Sequence, residues 1–435
     1  MGPTATTAEP DPLDTFSISD AYQATKFKLF DIVLELLEAR AISADAGSAR
    51  QIRKTIDEAI NAYGLRDGLA LNSIERVWLA DDIYHEITGL GPLEPLLRDP
   101  LIDDIIVNGA RQIYVERAGK LALVKTRFRD DAHLMTIIQR IVSPIGRRVD
   151  EASPYVDARL ADGSRVNVII PPIALDGPIL SIRKFRPEPI VGAEYVRTGA
   201  MNDEMLDFLS NAVESRLNIL ICGGTGSGKT TLLNMLSSYI GDSERLITIE
   251  DAAELRLRQT HVVRLETRPP TLEGTREVNA RDLVRNALRM RPDRIILGEV
   301  RGAEAVEMLQ AMSTGHDGSM ATVHANTDRD ALSRIEMLLG FGGLQADLRT
   351  LRRYIASSIQ LIIHVQRTGD GRRRVSSITE VIGLEGDTIT LNQLYRFAQA
   401  SPLSGEGVFE TVSRRPFFAF RLRRPVATAP QFGAA

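Results

Sequence analysis

The stretch CGGTGSGKTT, Cys222 to Thr231, constrains this chain more than any other feature. It fits G-x-x-x-x-G-K-S/T, with Gly223, Gly228, Lys229 and Thr230 in the fixed positions. Before it, LNILI (Leu217 to Ile221) reads as a buried strand. After it, TLLNMLSSYI (Thr231 to Ile240) reads as a helix, with Leu232, Leu233, Leu236 and Ile240 near helical spacing. Strand, glycine loop and helix together cradle phosphates with backbone N–H groups and a helix N-terminus. Gly223, Gly224, Thr225, Gly226, Ser227 and Gly228 then form the cradle, closed by the helix start at Lys229, Thr230 and Thr231. Lys229 is placed to reach the β- and γ-phosphates of a bound nucleotide, and the Thr230 hydroxyl to hold Mg²⁺. The bland alternative, a glycine-rich turn with a chance lysine, does not explain the flanking strand and helix.

At 435 residues the chain has room for two or three domains with cores of their own. A net charge of −4 gives no overall attraction to nucleic acid or anionic lipid. The single cysteine excludes an internal disulfide framework or a multi-cysteine zinc site, and fits a reducing compartment. Cys222 itself reads as a small buried hydrophobe. There is no signal peptide and no apolar run of 18 residues, so any membrane role is expected to come through partners.

The spacing divides the chain into six parts. Residues 1–16 are Pro/Thr-rich and read as a disordered tail. Residues 17–88 predict a three-helix bundle, with helices over Ser19–Ala41, Ser48–Tyr63 (stopped by Gly64) and Ser73–Ile87. Their apolar faces are read as Phe30, Val33, Leu34 and Leu37; Ile52, Ile56, Ile60 and Tyr63; and Ile74, Val77 and Trp78. Residues 1–88 hold 8 Lys/Arg against 15 Asp/Glu, a difference of −7. That excess is either a solvated acidic surface or a docking face for a basic partner. Residues 89–185 alternate strand and helix patterns as an α+β domain, with turns at Ala118–Gly119 and Asp162–Gly163 and a last strand from Ile179 to Phe185. Residues 186–200 read as a linker. Residues 201–400 alternate helices with short buried strands, which predicts an α/β, mostly parallel, doubly wound sheet. Residues 401–435 form a basic, aromatic extension. Arg414 to Arg424 holds five arginines, three phenylalanines and no acid. It reads as a solvated segment, a strand docked on its own domain, or a clamp on an acidic partner or lipid headgroups.

Hydrolysis needs more than a cradle: a metal anchor, a group to position water, and cations for the γ-phosphate. LITIEDAAEL ends a strand in Glu250 and Asp251, followed by Glu254. RIILGEVRG ends an apolar strand at Gly298–Glu299, the form of a Walker B strand. STGHDGSMATVHANT carries His316 and His324 around a glycine turn and a short strand. Strand C-termini converge beside the loop in a parallel sheet, so these groups are expected to meet one Mg²⁺-nucleotide. Strand-end acids can instead cap the next helix, and either histidine can be structural. His261 and His364 are read as structural. Arg165, Arg183, Arg268, Arg276 and Arg301 are candidate fingers for the γ-phosphate from another domain or subunit.

The boxes GGTGSGKTT, ITIEDAAEL, RIILGEVRG and GHDGSMATVHAN, in that order, resemble those of type II/type IV secretion and pilus-assembly ATPases. GLGPLEPLL, the run from DDAHLMTIIQ to ILSIRKF, HVVRLETRPP and RDALSRIEMLL are similar to the CpaF branch, the tight-adherence (Flp) pilus motors. The resemblance implies a homohexameric ring with a RecA-like domain, ATP and Mg²⁺ as ligands, and pilus platform proteins of the inner membrane as partners. It places the ring at the cytoplasmic face of that membrane, without direct nucleic-acid binding. It implies that Glu250 polarises water and that Glu299 places metal or water, a division that the residues alone leave open. It also implies that His316 and His324 sense phosphate or couple to domain motion, and that Arg165 and Arg183 reach the nucleotide when domains close. Arg268 carries over less firmly, because its loop match is short. The four-cysteine zinc module of some relatives is missing here. The competing readings are a type IV secretion ATPase, a nucleic-acid translocase and a non-hydrolysing nucleotide sensor.

Overall fold

The computed structural model describes residues 20–43, 46–67, 71–117, 119–185, 190–268, 277–399, 401 and 405–425. The expectations for residues 1–16, Ala118, Arg276, the first linker residues 186–189 and the end 426–435 lie outside the described residues. The chain divides into two compact units, Met1–Arg186 and Pro187–Ala435.

The first unit opens with three helices, α1 (Asp20–Ala39), α2 (Ala49–Asp67) and α3 (Ser73–Thr88). Their shared core is Leu29, Val33 and Leu37, then Ile52, Ile56 and Ile60, then Leu79, Ile83 and Ile87. Each set recurs about every fourth residue, as one helix face requires. Two expectations are corrected here. Helix α2 runs through Gly64 to Asp67, since an interior glycine costs a helix only ~1 kcal/mol and does not by itself end it. Helix α3 turns Ile74, Val77 and Trp78 outward, at 61%, 59% and 38% exposure. The buried stripe includes a carboxylate instead. Glu86 accepts from Lys26 Nζ at 2.8 Å, and its other oxygen lies 2.9 Å from His133 Nε2.

A short helix, α4 (Glu94–Arg98), leads into strands β1 (Ile102–Asn108), β2 (Gln112–Arg117) and β3 (Lys120–Val124). Helix α5 (Asp131–Val142) follows, capped by Asp130, whose carboxylate accepts from the His133 N–H. Strands β4 (Tyr155–Arg159), β5 (Arg165–Ile169) and β6 (Ile179–Arg183) complete the unit; β6 stops two residues before the expected Phe185. Among the described residues these make one antiparallel sheet, β3-β2-β1-β6-β5-β4. Its core joins Ile105, Val107, Ile113, Val168 and Leu180 to Leu134, Ile137, Ile138 and Ile141 of α5.

The second unit begins with α6 (Gly192–Arg197) and α7 (Asp203–Glu214). Tyr195, Ala200 and Met201 are buried in its core, so the later part of the expected linker belongs to this unit. Then come β7 (Ile219–Gly223), α8 (Lys229–Ser237), β8 (Leu246–Glu250), β9 (Val262–Glu266), α9 (Ala280–Ala287) and β10 (Arg294–Val300). They are followed by α10 (Ala305–Ser313), β11 (Met320–His324), α11 (Asp328–Phe341) and α12 (Leu348–Ser358). Strands β12 (Leu361–Arg367), β13 (Arg373–Glu385), β14 (Thr388–Gln399) and β15 (Gly407–Thr411) end the series.

The described strands form one sheet, β15-β14-β13-β12-β7-β11-β10-β8-β9. From β12 to β9 the pairings are parallel, and β12 to β15 pair antiparallel. Along β7, Ile219 and Ile221 enter one hydrophobic core while Leu220 and Cys222 enter the other. Strand alternation thus covers both faces, as a doubly wound sheet needs. The C-terminal segment docks on this unit: β15 is the sheet's edge, and Phe418 is buried in the core. Within 405–425 the segment is attached to its own domain, through β15 and Phe418.

Candidate functional site

Strand β7 is buried throughout and delivers the chain to Gly223 at the carboxyl edge of the sheet. From β7 the chain crosses to β8 on one side, and it later returns to β7's other side as β12. Such a reversal opens a crevice at the strand ends. The loop that fills it depends on glycine. Gly226 and Gly228 have φ of 69° and 97°, where a Cβ is strained. A Cβ on Gly223 would run into the Val365 carbonyl and the Ser227 hydroxyl. Thr225 and Gly226 are exposed at the loop's crest, and Ser227 is buried beneath it. Helix α8 then starts at Lys229, so the first-turn N–H groups of Lys229, Thr230 and Thr231 have no carbonyl of their own helix to meet.

Lys229 lies under this loop, donating to the carbonyls of Gly223 (3.0 Å) and Gly224 (2.9 Å). Burial pushes its ammonium below the usual lysine range, while Glu299 works in the opposite direction. Its Nζ is 3.3 Å from His324 Nδ1, and His324 Nε2 is 2.9 Å from Glu299 Oε1. Burial and the lysine charge lower the histidine's pKa, which favours neutral imidazole. In the tautomer in which Nδ1 accepts from Lys229, Nε2–H faces Glu299, whose Oε1 is buried without a well-formed hydrogen bond. The other oxygen of Glu299 accepts from Arg301 Nη2 at 2.7 Å, and Arg301 Nη1 donates to Asp251 at 3.1 Å. One polar chain thus runs Lys229–His324–Glu299–Arg301–Asp251.

The parallel register aligns Ile249 with Leu297, so Glu250 leaves β8 beside Gly298 on β10. A Cβ at residue 298 would lie 2.8 Å from Glu250 Cγ; glycine there makes space for the carboxyl. Glu250 is 4% exposed, and its Oε1 accepts from the N–H groups of Glu254 (2.8 Å) and Leu255 (2.9 Å). Its Oε2 is buried without a hydrogen-bond partner. Burial raises this carboxyl from its ordinary 4.5 to about 7, against the two backbone hydrogen bonds.

The remaining expected residues fall elsewhere. His316 is corrected: it precedes β11, whereas His324 ends it, so the two stand at opposite edges of the sheet. Five strand residues separate those edges by roughly 13 Å. The His316 backbone N–H donates to Ala311 and its carbonyl accepts from Ser319, while its Nδ1 is buried without a partner. Arg165 and Arg183 are cross-strand neighbours on β5 and β6 of the first unit, and Arg183 Nε lies 3.2 Å from Asp104. Arg268 follows β9 and bridges Val278. His364 bonds Ser376 at 2.6 Å, and His261 contacts Arg245. Cys222 is fully buried, and burial pushes its thiol up.

Sequence reasoning missed Arg373. It opens β13, donates from Nε to the Gly226 carbonyl at 3.0 Å, and lays its stem over Gly228. The run of three arginines after the Asp370–Gly371 turn was the available signal.

The model of the family described as "Type II/IV secretion system protein" matches residues 86–382, more than half of the chain. A protein of Mycobacterium tuberculosis named for conjugal transfer is 40% identical over 307 residues, covering 69% of this chain and 87% of its own length. The type IV secretion system protein VirB11 of Bartonella quintana is 30% identical over 330 residues, covering 67% and 92%. Among solved structures, the VirB11 ATPase of Brucella suis in complex with sulphate is 28% identical, with a TM-score of 0.37, covering 66% of this chain and 95% of that one. The chain belongs to the type II/IV secretion system protein family.

Proposed function

We propose that this protein is an ATPase of that family, whose ring couples ATP hydrolysis to movement of an inner-membrane platform for a tight-adherence pilus. The observation that carries the reading is the glycine cradle before α8 together with Glu250, a buried carboxyl with one unsatisfied oxygen three strands along the same sheet. Glu250 takes the role of general base: a carboxyl raised to about 7 is half ionised near neutrality and can accept a proton from water. The backbone N–H groups at the start of α8 and Lys229 hold the phosphates. For Lys229 this means exchanging the carbonyls of Gly223 and Gly224 for phosphate oxygens. His324 then registers that exchange, because it touches the lysine's present position, and Glu299 registers it through His324. Arg165 and Arg183 of the first unit supply charge to the γ-phosphate.

The donor set fits Mg²⁺ arriving with a nucleotide: the Thr230 hydroxyl and the Glu299 carboxylate, the rest being phosphate and water. When bound, the ion neutralises charge on the phosphate oxygens. Glu299 is already held by His324 and Arg301, which favours an outer position for it. The ring is a homohexamer acting at the cytoplasmic face of the inner membrane. Among the described residues no helix is long and apolar enough to cross a membrane.

A second reading, powering substrate export by a type IV secretion system, is favoured by the relative named a type IV secretion system protein. A nucleic-acid translocase is disfavoured by the net charge of −4. ATP turnover by the purified chain and by Lys229→Ala tests the core of the proposal. The variant should stay folded and lose turnover to background; retained turnover would place the chemistry elsewhere. Loss of surface pili on deletion of the gene, with export intact, separates the two machines.

A further inference from the structure

The end of the chain, beyond the family-matched residues 86–382, builds a surface that the nucleotide site does not use. After the edge strand β15 the backbone enters a 3₁₀ helix, Phe417–Arg421. Phe418 fixes this turn from below. It is 6% exposed, its ring lies 6.3 Å from that of Phe208, and its N–H donates to Glu380 at 2.9 Å. Further on, the Arg423 N–H donates to Ser215 at 2.8 Å, and Arg424 pairs with Asp207 at 2.6 Å. The turn is therefore held on both sides.

Residues i and i+3 of a 3₁₀ helix share a side. Phe417 and Phe420 have that spacing, and they are 67% and 85% exposed. Val408 and Val412 add 61% and 49% exposed aliphatic surface just before them. Exposed rings held on a fixed turn suit a surface that deforms to receive them.

Arg414, Arg415 and Arg423 are exposed, and there is no acid from Thr411 to Pro425. Glu406, two residues before Val408, is an exposed acid at the margin of this surface. Most of the other carboxylates around it have partners. Asp207 and Glu214 face Arg424, Glu410 faces Arg396, and Glu204 faces Tyr395 and Thr411. Asp317 reaches Arg421 only at 4.0 Å.

We propose that this surface seats the protein directly on an anionic lipid bilayer. Phe417 and Phe420 enter the boundary between headgroups and acyl chains, and the arginines meet the lipid phosphates. Single-stranded nucleic acid also uses arginines and aromatic rings, but base stacking has no use for Val408 and Val412. The inference is independent of nucleotide turnover.

The test is co-sedimentation of the full chain with extruded vesicles, either phosphatidylcholine alone or with roughly a third phosphatidylglycerol. The protein should bind only the vesicles that contain phosphatidylglycerol, and less at high salt. Phe417→Ser with Phe420→Ser should lower binding at least about tenfold, and Arg414→Gln with Arg415→Gln by a similar factor. ATP turnover should be unchanged in both. Should the phenylalanine pair lower the unfolding midpoint, the arginine pair decides alone. Failure to bind, equal binding to both vesicles, binding that survives the arginine variant, or displacement by single-stranded DNA would overturn the proposal.

Discussion

In the proposed base role, Glu250 joins a catalytic expectation to a stability consequence. Its pKa rises on folding from 4.5 to about 7, so the folded state favours the protonated form. Its stabilising contribution is complete below about pH 4.5 and is lost as pH rises through 7. Activity should follow the opposite direction, because only the ionised form accepts a proton from water. We predict that turnover rises with pH through about 7. Glu250→Gln should lower turnover by at least ~10²-fold, remove that limb of the profile, and raise stability above neutrality. Turnover within a few-fold of the parent, or an unchanged pH limb, would take the base role from Glu250. Lys229, Glu250, Glu299 and His324 are legible in the sequence because each sits in a short apolar strand or glycine loop with its own pattern. Arg373 is not: it meets Gly226 across 147 residues, and the run of three arginines marks the cluster without saying which of them reaches the loop. His316 shows the converse. Proximity in sequence to His324 is undone by one intervening strand.

Among the elements, α3 shows most clearly where periodicity misleads. Its two apolar stripes compete, and the one containing Ile74, Val77 and Trp78 looks cleaner because the other includes Glu86. The burial of Glu86 becomes intelligible only through Lys26 on α1 and His133 on α5, both distant in sequence. The Arg129 N–H donates to His133 Nδ1, which leaves Nε2–H to face Glu86. Burial works to raise the Glu86 carboxyl, but the hydrogen bond from His133 and the Lys26 ammonium outweigh it and hold the pKa at about 2. Glu86→Gln should cost ~3–5 kcal/mol near neutrality, because it leaves a buried ammonium without its counter-charge. A depressed acid stabilises above its ordinary pKa. The gap between parent and variant should therefore be full above about pH 4.5 and close as pH falls toward 2. Denaturant titrations of both proteins across that range measure it, and a pH-independent gap would mean that the pair contributes packing alone. The helices themselves, and α5 with its Asp130 cap, follow from spacing and capping chemistry. The choice of face on α3 depends on partners outside the helix.

For the whole molecule, the alternation of helix and buried strand forecasts the parallel sheet, whereas the antiparallel extension through β13–β15 does not follow from the same pattern. The strand TITLNQLYRFAQ falls within the expected nucleotide domain, but its mixed polar pattern does not announce antiparallel pairing with β13 and β15. The distribution of the proposed cations across two units leads to the last prediction. Lys229 belongs to the second unit, while Arg165 and Arg183 belong to the first. If a ring completes each site with arginines from a neighbouring protomer, specific activity should rise steeply with protein concentration as rings form, then level off. Two inactive variants, Lys229→Ala and Arg165→Ala/Arg183→Ala, should then rescue each other when mixed before assembly. An equal mixture gives about a quarter of interfaces an intact lysine on one side and intact arginines on the other, so about a quarter of parental activity should return. Arginines acting within their own protomer would give no rescue at any ratio. A protomer that remains monomeric by mass and hydrolyses ATP at full rate would exclude the ring itself.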